Sequence, residues 1–274
     1  MCFFTKINQK DNNKLKAMDC IKISAVIITL NEEKNIQDCI DSVKDVVDEI
    51  VVVDSFSVDK TEEICRNNGV KFLQHKWEGH GRQKNWANSH AAYDYILSLD
   101  ADERLSTKLK EAILAVKNNW QSDIYSVNRL TYFHGRKIKY GCYPDSQLRF
   151  FDRRKAQWNS TFHDRIVINK GVKVKRVRKD ILHFANQDIH QLVDTLNSNS
   201  TLFARDRINL GKPSFFKLIF SPTFAFINTY IFQLGFLEGV FGLVICVNKA
   251  HYRFLKYAKR FEQYKDNKQI NSEL

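Results

Sequence analysis

The sequence predicts an α/β fold with a mostly parallel central sheet flanked by helices. Three observations carry this expectation. Strand-length apolar runs alternate with helix-length segments from Ile23 to Leu99. Each run is nearly all apolar, as in strands covered on both faces, and most end abruptly in a polar or acidic residue. Neither G-x-G-x-x-G nor G-x-x-x-x-G-K-[ST] occurs, so phosphates bound here are held by metal and cationic side chains rather than by a glycine cradle.

Ile23 to Ile28 is the first strand, followed by Thr29-Leu30-Asn31-Glu32-Glu33. Asn31 is placed to cap a helix that carries Ile36, Ile40 and Val43 inward. Glu49 to Asp54 is a second buried strand closing on an acid. Asp59 or Ser57 can cap the next helix, and Gly69 sits where its C-terminus wants a left-handed residue. Val70 to His75 reads as a third strand and Gln83 to Ala92 as a polar helix. The fourth strand, Ile96 to Leu99, delivers Asp100, Asp102 and Glu103 to one point. In open parallel sheets the ligand crevice lies outside the carboxyl ends of the strands, which places Asn31, Asp54, Asp100 and Asp102 on one rim. Two carboxylates one residue apart suit Mg²⁺ or Mn²⁺, which in turn suits a diphosphate. Alternatively Asp102 or Ser106 caps the helix beginning near Thr107, with Glu103 starting it.

The 274 residues carry a formal charge of +12, which implies an anionic partner: nucleic acid, a phosphorylated small molecule or an anionic membrane face. Between Arg129 and Asp180 fifteen Lys/Arg face four acids, nearly the whole excess. Ser122 to Val127, Leu148 to Phe151 and Arg165 to Ile168 alternate like antiparallel strands within that segment. It is either a solvated basic face or a surface that captures phosphorylated ligands. The six cysteines are scattered with no C-x-x-C, as in a reduced chain without structural zinc. Residues 1–22 read as a flexible leader without a signal peptide's apolar core.

Ile189 to Leu210 has helical apolar spacing and stops at Gly211-Lys212-Pro213. Leu218 to Leu237 then runs 20 residues without a charge. Its length suits a bilayer, but Pro222, Asn228, Gln233 and Gly235 make it a poor spanning helix. Lys249 to Arg260 is basic on one side and aromatic on the other, as in a helix lying in a membrane interface. Packing of this hairpin on the main domain or in an oligomer is the competing expectation.

Taken together, the motifs Thr29-Leu30-Asn31-Glu32-Glu33, Val53 to Thr61, Gly79 to Asn85, Leu99-Asp100-Ala101-Asp102-Glu103, Leu148-Arg149-Phe150-Phe151 and Phe162-His163-Asp164 resemble the inverting glycosyltransferases of family two, which have the GT-A fold. The resemblance extends to the bacterial lipopolysaccharide core glucosyltransferases that add glucose to an inner-core heptose. It implies that 23–210 is the transferase domain, with a nucleotide-binding half 23–103 and an acceptor-binding half 104–210. Residues 211–274 are then a C-terminal helical, membrane-associating extension. By the same resemblance Thr29, Asn31, Glu32 and Asp54 hold the uracil and ribose of a UDP-sugar. Arg82 and Lys84 lie near its phosphates, and Arg149 binds the diphosphate or the acceptor. Asp100-Ala-Asp102 is the D-x-D motif, with Asp102 as main ligand of Mg²⁺ or Mn²⁺. His183 matches a downstream histidine that contacts metal or diphosphate, or is simply structural. Asp164 is the expected general base, where the subgroup usually has Glu, or else a salt-bridge partner of Arg165 or Arg149. Trp86 and Trp158 stack a sugar or fill core.

The implied function is metal-dependent transfer of a sugar, glucose in that subgroup, from a UDP-sugar to a lipopolysaccharide or lipooligosaccharide inner core. The implied place is the cytoplasmic face of the inner membrane, bound peripherally. The acceptor is a lipid-linked saccharide, with a polyprenyl-linked, capsular or protein acceptor as alternatives. Nucleic acid is not the expected partner, because an acidic rim repels a polyanion. The rival class is a non-catalytic module that binds anionic ligands.

Overall fold

A computed structural model describes residues 20–159, 165–186, 188–207 and 211–273. The first half alternates as expected: β1 (Ile23–Thr29), α1 (Ile36–Val43), β2 (Glu49–Asp54), α2 (Thr61–Asn67), β3 (Lys71–Gln74), α3 (His80–Ser89) and β4 (Tyr95–Asp100). A short β5 (Glu103–Leu105) follows, then α4 (Thr107–Asn118). The second half supplies β6 (Ile124–Phe133), β7 (Arg136–Lys137), β8 (Asp145–Asp152), β9 (Ala156–Trp158), β10 (Ile166–Ile168), β11 (Val174–Asn186) and α5 (Ile189–Asp206). The main sheet has the order β3-β2-β1-β4-β8-β6-β11-β5, and β7 pairs with β6. Strands β1 to β4 are parallel neighbours, β8 is antiparallel to β4 and β6, and β11 runs parallel to β6.

Every residue of β1 is buried because both of its faces are covered. Ile23, Ala25 and Ile27 pack with Val52, Leu97, Leu99 and the inner face of α1. Val26 and Ile28 pack on the other side with Val51, Val53, Ile96, Phe151 and Ala87 of α3. Each such aliphatic side chain contributes about 1.5–3 kcal/mol through burial, so the central strand is held in a fixed register. That register sets Thr29 beside Asp54 and Ile28 beside Asp100.

Several local expectations change. Asn31 does not cap α1; it adopts a positive φ of 55°, and the turn into the helix opens at Glu32, whose carbonyl accepts the N–H groups of Asn35 and Ile36. Glu103 does not begin a helix. It begins β5, and Ser106 caps α4 by accepting the Leu109 N–H. Gly69, with φ 65°, ends α2 as expected.

Beyond Pro213, α6 (Phe215–Ile227) continues through one π-turn (Asn228–Phe232) and a 3₁₀ turn (Gly235–Glu238) into the long α7 (Gly239–Glu273). No residue of α6 is buried. The segment Phe215–Phe232 is long and apolar enough to cross a bilayer by length and composition, with a mean hydropathy of 1.3 over 18 residues. The turn between the two helices is bound to the sheet domain. Glu238 accepts the N–H groups of Lys139 and Tyr140, and the Gly141 N–H donates to Gln233 O. On α7, Lys259 Nζ donates to the Asn197 carbonyl on α5 at 2.7 Å.

Candidate functional site

The chain runs β1, β2, β3 toward one edge and places β4 on the other side of β1, so strand order reverses between β1 and β4. A crevice opens outside the carboxyl ends at such a reversal. Here it is a cavity of about 620 Å³ whose lining includes Thr29, Glu32, Lys84, Asp100, Asp102 and His183. Six of the residues predicted from sequence thus share one wall. Asn31 lines an adjoining cavity that also contains Glu32.

The floor is an ion-pair chain. Lys84 is 2% exposed, and its Nζ lies 3.0 Å from Asp100 Oδ1 and 4.6 Å from the Trp158 ring centroid. Its neighbours on α3 fix it there. Gln83 donates to Ser55 and to the His75 carbonyl, and Asn85 pairs both ways with the Trp158 backbone. On the other side of Asp100, Arg149 Nη2 donates to Asp100 Oδ2 at 2.9 Å and to Glu103 Oε1 at 2.6 Å. Glu103 is fully buried, and its Oε2 accepts the Asp100 N–H, which closes the acidic turn on itself. Enclosure by protein would push the Asp100 carboxyl up, but the charges of Lys84 and Arg149 outweigh it and hold it well below the usual range. For Glu103 burial wins over the pull of Arg149, and the charge of Asp100 adds to it, so its pKa is raised.

Asp102 stands apart from this chain. Its backbone carbonyl accepts the Phe184 N–H of β11, and its Oδ2 lies 3.4 Å from His183 Nε2. The antiparallel pairing of β5 with β11 sets His183 opposite Glu103, which brings the imidazole to the turn. Burial pushes the His183 pKa down, yet the charge and hydrogen bond of Asp102 prevail and raise it. Asp102 Oδ1 and Thr29 Oγ1 are both buried and have no hydrogen-bond partner among the described residues. Two orphaned oxygens on one cavity wall mark a place completed by a ligand.

The loops above the rim brace one another. Asn31 Oδ1 accepts the Val58 N–H while Ser57 Oγ accepts the Asn31 N–H. Asp54 is fully buried, and its carboxylate takes both the N–H and the hydroxyl of Ser57. Glu32 accepts from Asn35, and burial, with repulsion from Asp102, Asp59 and Asp100 added, pushes its carboxyl up to about 7.

Arg82 is exposed on α3, and Arg149 is 3% exposed behind the acidic turn. Asp164 lies outside the described residues. Part of the basic middle segment is used inside the fold. Arg149, Arg153 and Arg154 are taken up by internal acids and carbonyls, while Arg129 lines the cavity and also pairs with Asp145. Trp86 stacks on His75 and His90, and Trp158 is buried against Phe151. Sequence reasoning missed Trp77, His80, Thr195 and Asn199, which also line the cavity. Thr195 and Asn199 are polar residues four apart on α5, a spacing that puts both on one helix face and was available as a signal.

The model of glycosyl transferase family 2 matches residues 24–179. An uncharacterized glycosyltransferase of Rickettsia typhi (strain ATCC VR-144 / Wilmington) is 34% identical over 251 residues, covering 87% of this chain and 86% of its own. The lipopolysaccharide core biosynthesis glycosyltransferase LpsC of Rhizobium meliloti (strain 1021) is 31% identical over 261 residues, 89% of this chain and 93% of its own. The mannosyltransferase PcManGT of Pyrobaculum calidifontis, solved with GDP-Man and Mn²⁺, shares the fold at a TM-score of 0.54 and 14% identity, over 87% of this chain and 86% of that one. The switch-point crevice with its Asp100-Ala101-Asp102 turn therefore sits in a GT-A fold, and with sequence likeness running along nearly the whole chain, this protein belongs to glycosyl transferase family 2.

Proposed function

We propose that this protein transfers a sugar, glucose by the motif resemblance, from a UDP-sugar to a lipopolysaccharide or lipooligosaccharide inner-core acceptor, with inversion. The observation that carries the donor half is the pair of orphaned buried oxygens, Asp102 Oδ1 and Thr29 Oγ1, at the switch point. The likeness to LpsC supports the acceptor half.

The residues present fit a divalent cation. Asp102 offers an unpartnered carboxylate oxygen and His183 an imidazole 3.4 Å from its other oxygen. Among the described residues no group of three or more His, Cys, Asp or Glu is arranged around a metal. A cation with one or two protein ligands, completed by diphosphate oxygens and water, is the usual arrangement for Mg²⁺. When bound it neutralises the charge that grows on the departing diphosphate. Asp102 is the principal ligand in this reading, and Asp100 supports the same turn through Lys84 and Arg149. Thr29, Asn31 and Glu32 face the nucleoside from the β1 loop, and Asp54 holds the facing loop in place. Lys84 and Arg82 add positive charge on the α3 side of the phosphates. Asp164 takes the proton from the acceptor hydroxyl. The Asp164→Asn variant should keep UDP binding by calorimetry and lose transfer.

The extension 211–274 attaches the 23–210 domain to the cytoplasmic face of the inner membrane. The turn of the hairpin is bonded to Lys139–Gly141, so it is not the deepest point of an inserted hairpin. Phe216, Phe220 and Phe224 are exposed four residues apart along α6, which suits a helix lying in the interface plane. The membrane reading and the donor reading are tested together by a thermal-shift screen of nucleotide sugars with and without Mn²⁺, followed by vesicle sedimentation. A UDP-sugar with Mn²⁺ near 100-fold over its Kd should raise Tm by roughly 5 °C or more. A protein stabilised by no nucleotide sugar under either condition refutes the donor assignment.

A further inference from the structure

Away from the acidic rim, α5, α6 and α7 enclose a second cavity of about 670 Å³. Its lining contains Arg165, Arg207, Lys249, Arg253 and Lys256 and, among the described residues, no acidic side chain. Lys256 is only 6% exposed. Its ammonium lies 3.8 Å from the Phe203 ring centroid and 5.0 Å from that of Tyr252, and it has no ion pair or hydrogen bond among the described residues. Aromatic faces partly compensate a buried cation, but a carboxylate or phosphate would do so far better. Burial, together with repulsion from Arg253 and Arg207, pushes the Lys256 pKa down to about 8. Five cations lining one cavity without a counter-charge among the described residues describe a site completed by an anion.

The surroundings say which anion. Phe224 lines this cavity and is also 68% exposed on the apolar face of α6, beside Phe220 at 61%. The cationic cavity and the apolar face therefore share a wall, and an occupant must present negative charge next to hydrocarbon. We infer that the cavity between α5, α6 and α7 binds the phosphate of an anionic membrane lipid, with the acyl chains alongside α6. This rests on the membrane attachment read above, and makes it specific for headgroup charge rather than for apolar surface alone.

The test uses the full chain and sedimentation with vesicles of phosphatidylcholine alone, or of phosphatidylcholine mixed with phosphatidylglycerol. The Lys256→Met/Arg207→Gln variant should lose more than about thirtyfold of the preference for anionic vesicles, beyond the about 1 kcal/mol that any single cation near an anionic surface contributes. Binding to neutral vesicles and hydrolysis of the UDP-sugar should stay unchanged. Lys212→Gln/Lys217→Gln removes two exposed cations from the same region and should cost much less. Equal losses in the two double variants, or a preference that survives in the first, overturn the cavity as the site. Competition by millimolar inorganic phosphate that abolishes the preference overturns the lipid as its source. Failure of the wild type to bind either vesicle overturns membrane attachment itself, and leaves the nucleotide-sugar thermal shift as the separate measure of the active site. Lys256→Met removes a desolvated charge and should hold or raise Tm; if it unfolds the protein, Arg253→Gln at an exposed side chain repeats the test without touching the interior.

Discussion

Replacing Arg149 by Met removes a guanidinium that is 3% exposed and donates to two carboxylates at once. Lys84 still pairs with Asp100 at 3.0 Å, so the loss falls on Glu103. That carboxylate is fully buried, and its next cation, Arg129, is 4.0 Å away. Removing one partner of a buried pair costs about 3–5 kcal/mol, because the other charge is left uncompensated. For a domain of this size that is a fall in Tm of roughly 10 °C. The pH dependence has a definite sign. The Glu103 pKa is already above its ordinary value in the fold, and without Arg149 it rises further. A carboxylate with a raised folded pKa is penalised only while ionised, so the deficit of the variant is larger at pH 8 than at pH 5. Adding Glu103→Gln, which keeps an oxygen for the Asp100 N–H, should recover part of the loss as a coupling between the two positions. Thermal and urea denaturation at both pH values measure all four proteins. Wild-type stability for Arg149→Met at pH 8, or a deficit that grows on acidification, would refute the counter-ion role; a variant that lost only UDP affinity would make Arg149 a ligand-binding residue.

Asp102→Ala should lower UDP-sugar hydrolysis about 100-fold or more, a loss larger than the contact with His183 at 3.4 Å would account for through stability alone. Hydrolysis at the wild-type rate removes Asp102 from the metal assignment. Glu32 has a folded pKa of about 7 against an ordinary 4.5, so its ionisation costs nothing below pH 4.5, progressively more up to 7, and a constant amount above. Glu32→Gln should therefore melt like wild type near pH 4.5 and be more stable by up to about 3 kcal/mol at pH 8; equal stability of the two proteins at pH 8 refutes the burial penalty. At Gly81 an added Cβ would lie 1.8 Å from the Asn159 carbonyl oxygen, so Gly81→Ala must push α3 off its neighbour. Denaturation should show a loss of about 1–3 kcal/mol, with weaker UDP-sugar turnover as Lys84 on the same helix moves; unchanged values for both would mean that contact is not maintained.

The sequence by itself determined the strands and the rim. Apolar runs such as Ile23 to Ile28 have one stable use, burial on both faces of a parallel sheet, and that geometry sends Thr29, Asp54 and Asp100 to one end. Motif order then indicated the family, and the likeness of relatives bears it out. Which acid does what was decided by tertiary contacts, because identical carboxylates differ only in their surroundings. Asp100 is neutralised by Lys84 and Arg149, residues far from it in sequence, whereas Asp102 two positions on keeps an unpartnered oxygen. Glu103, which reads locally as the start of a helix, is the buried counter-ion of Arg149 because β8 brings that guanidinium under the turn. Asn31 has a capping residue's chemistry, yet the Ser57 loop across the sheet captures it first. His183 reaches Asp102 only because β11 lies against both β6 and β5, a pairing that no local pattern encodes. Periodicity reports how much surface a segment buries. It carries no information on which distant charge that segment will meet, and the chemistry of this rim is set by those meetings.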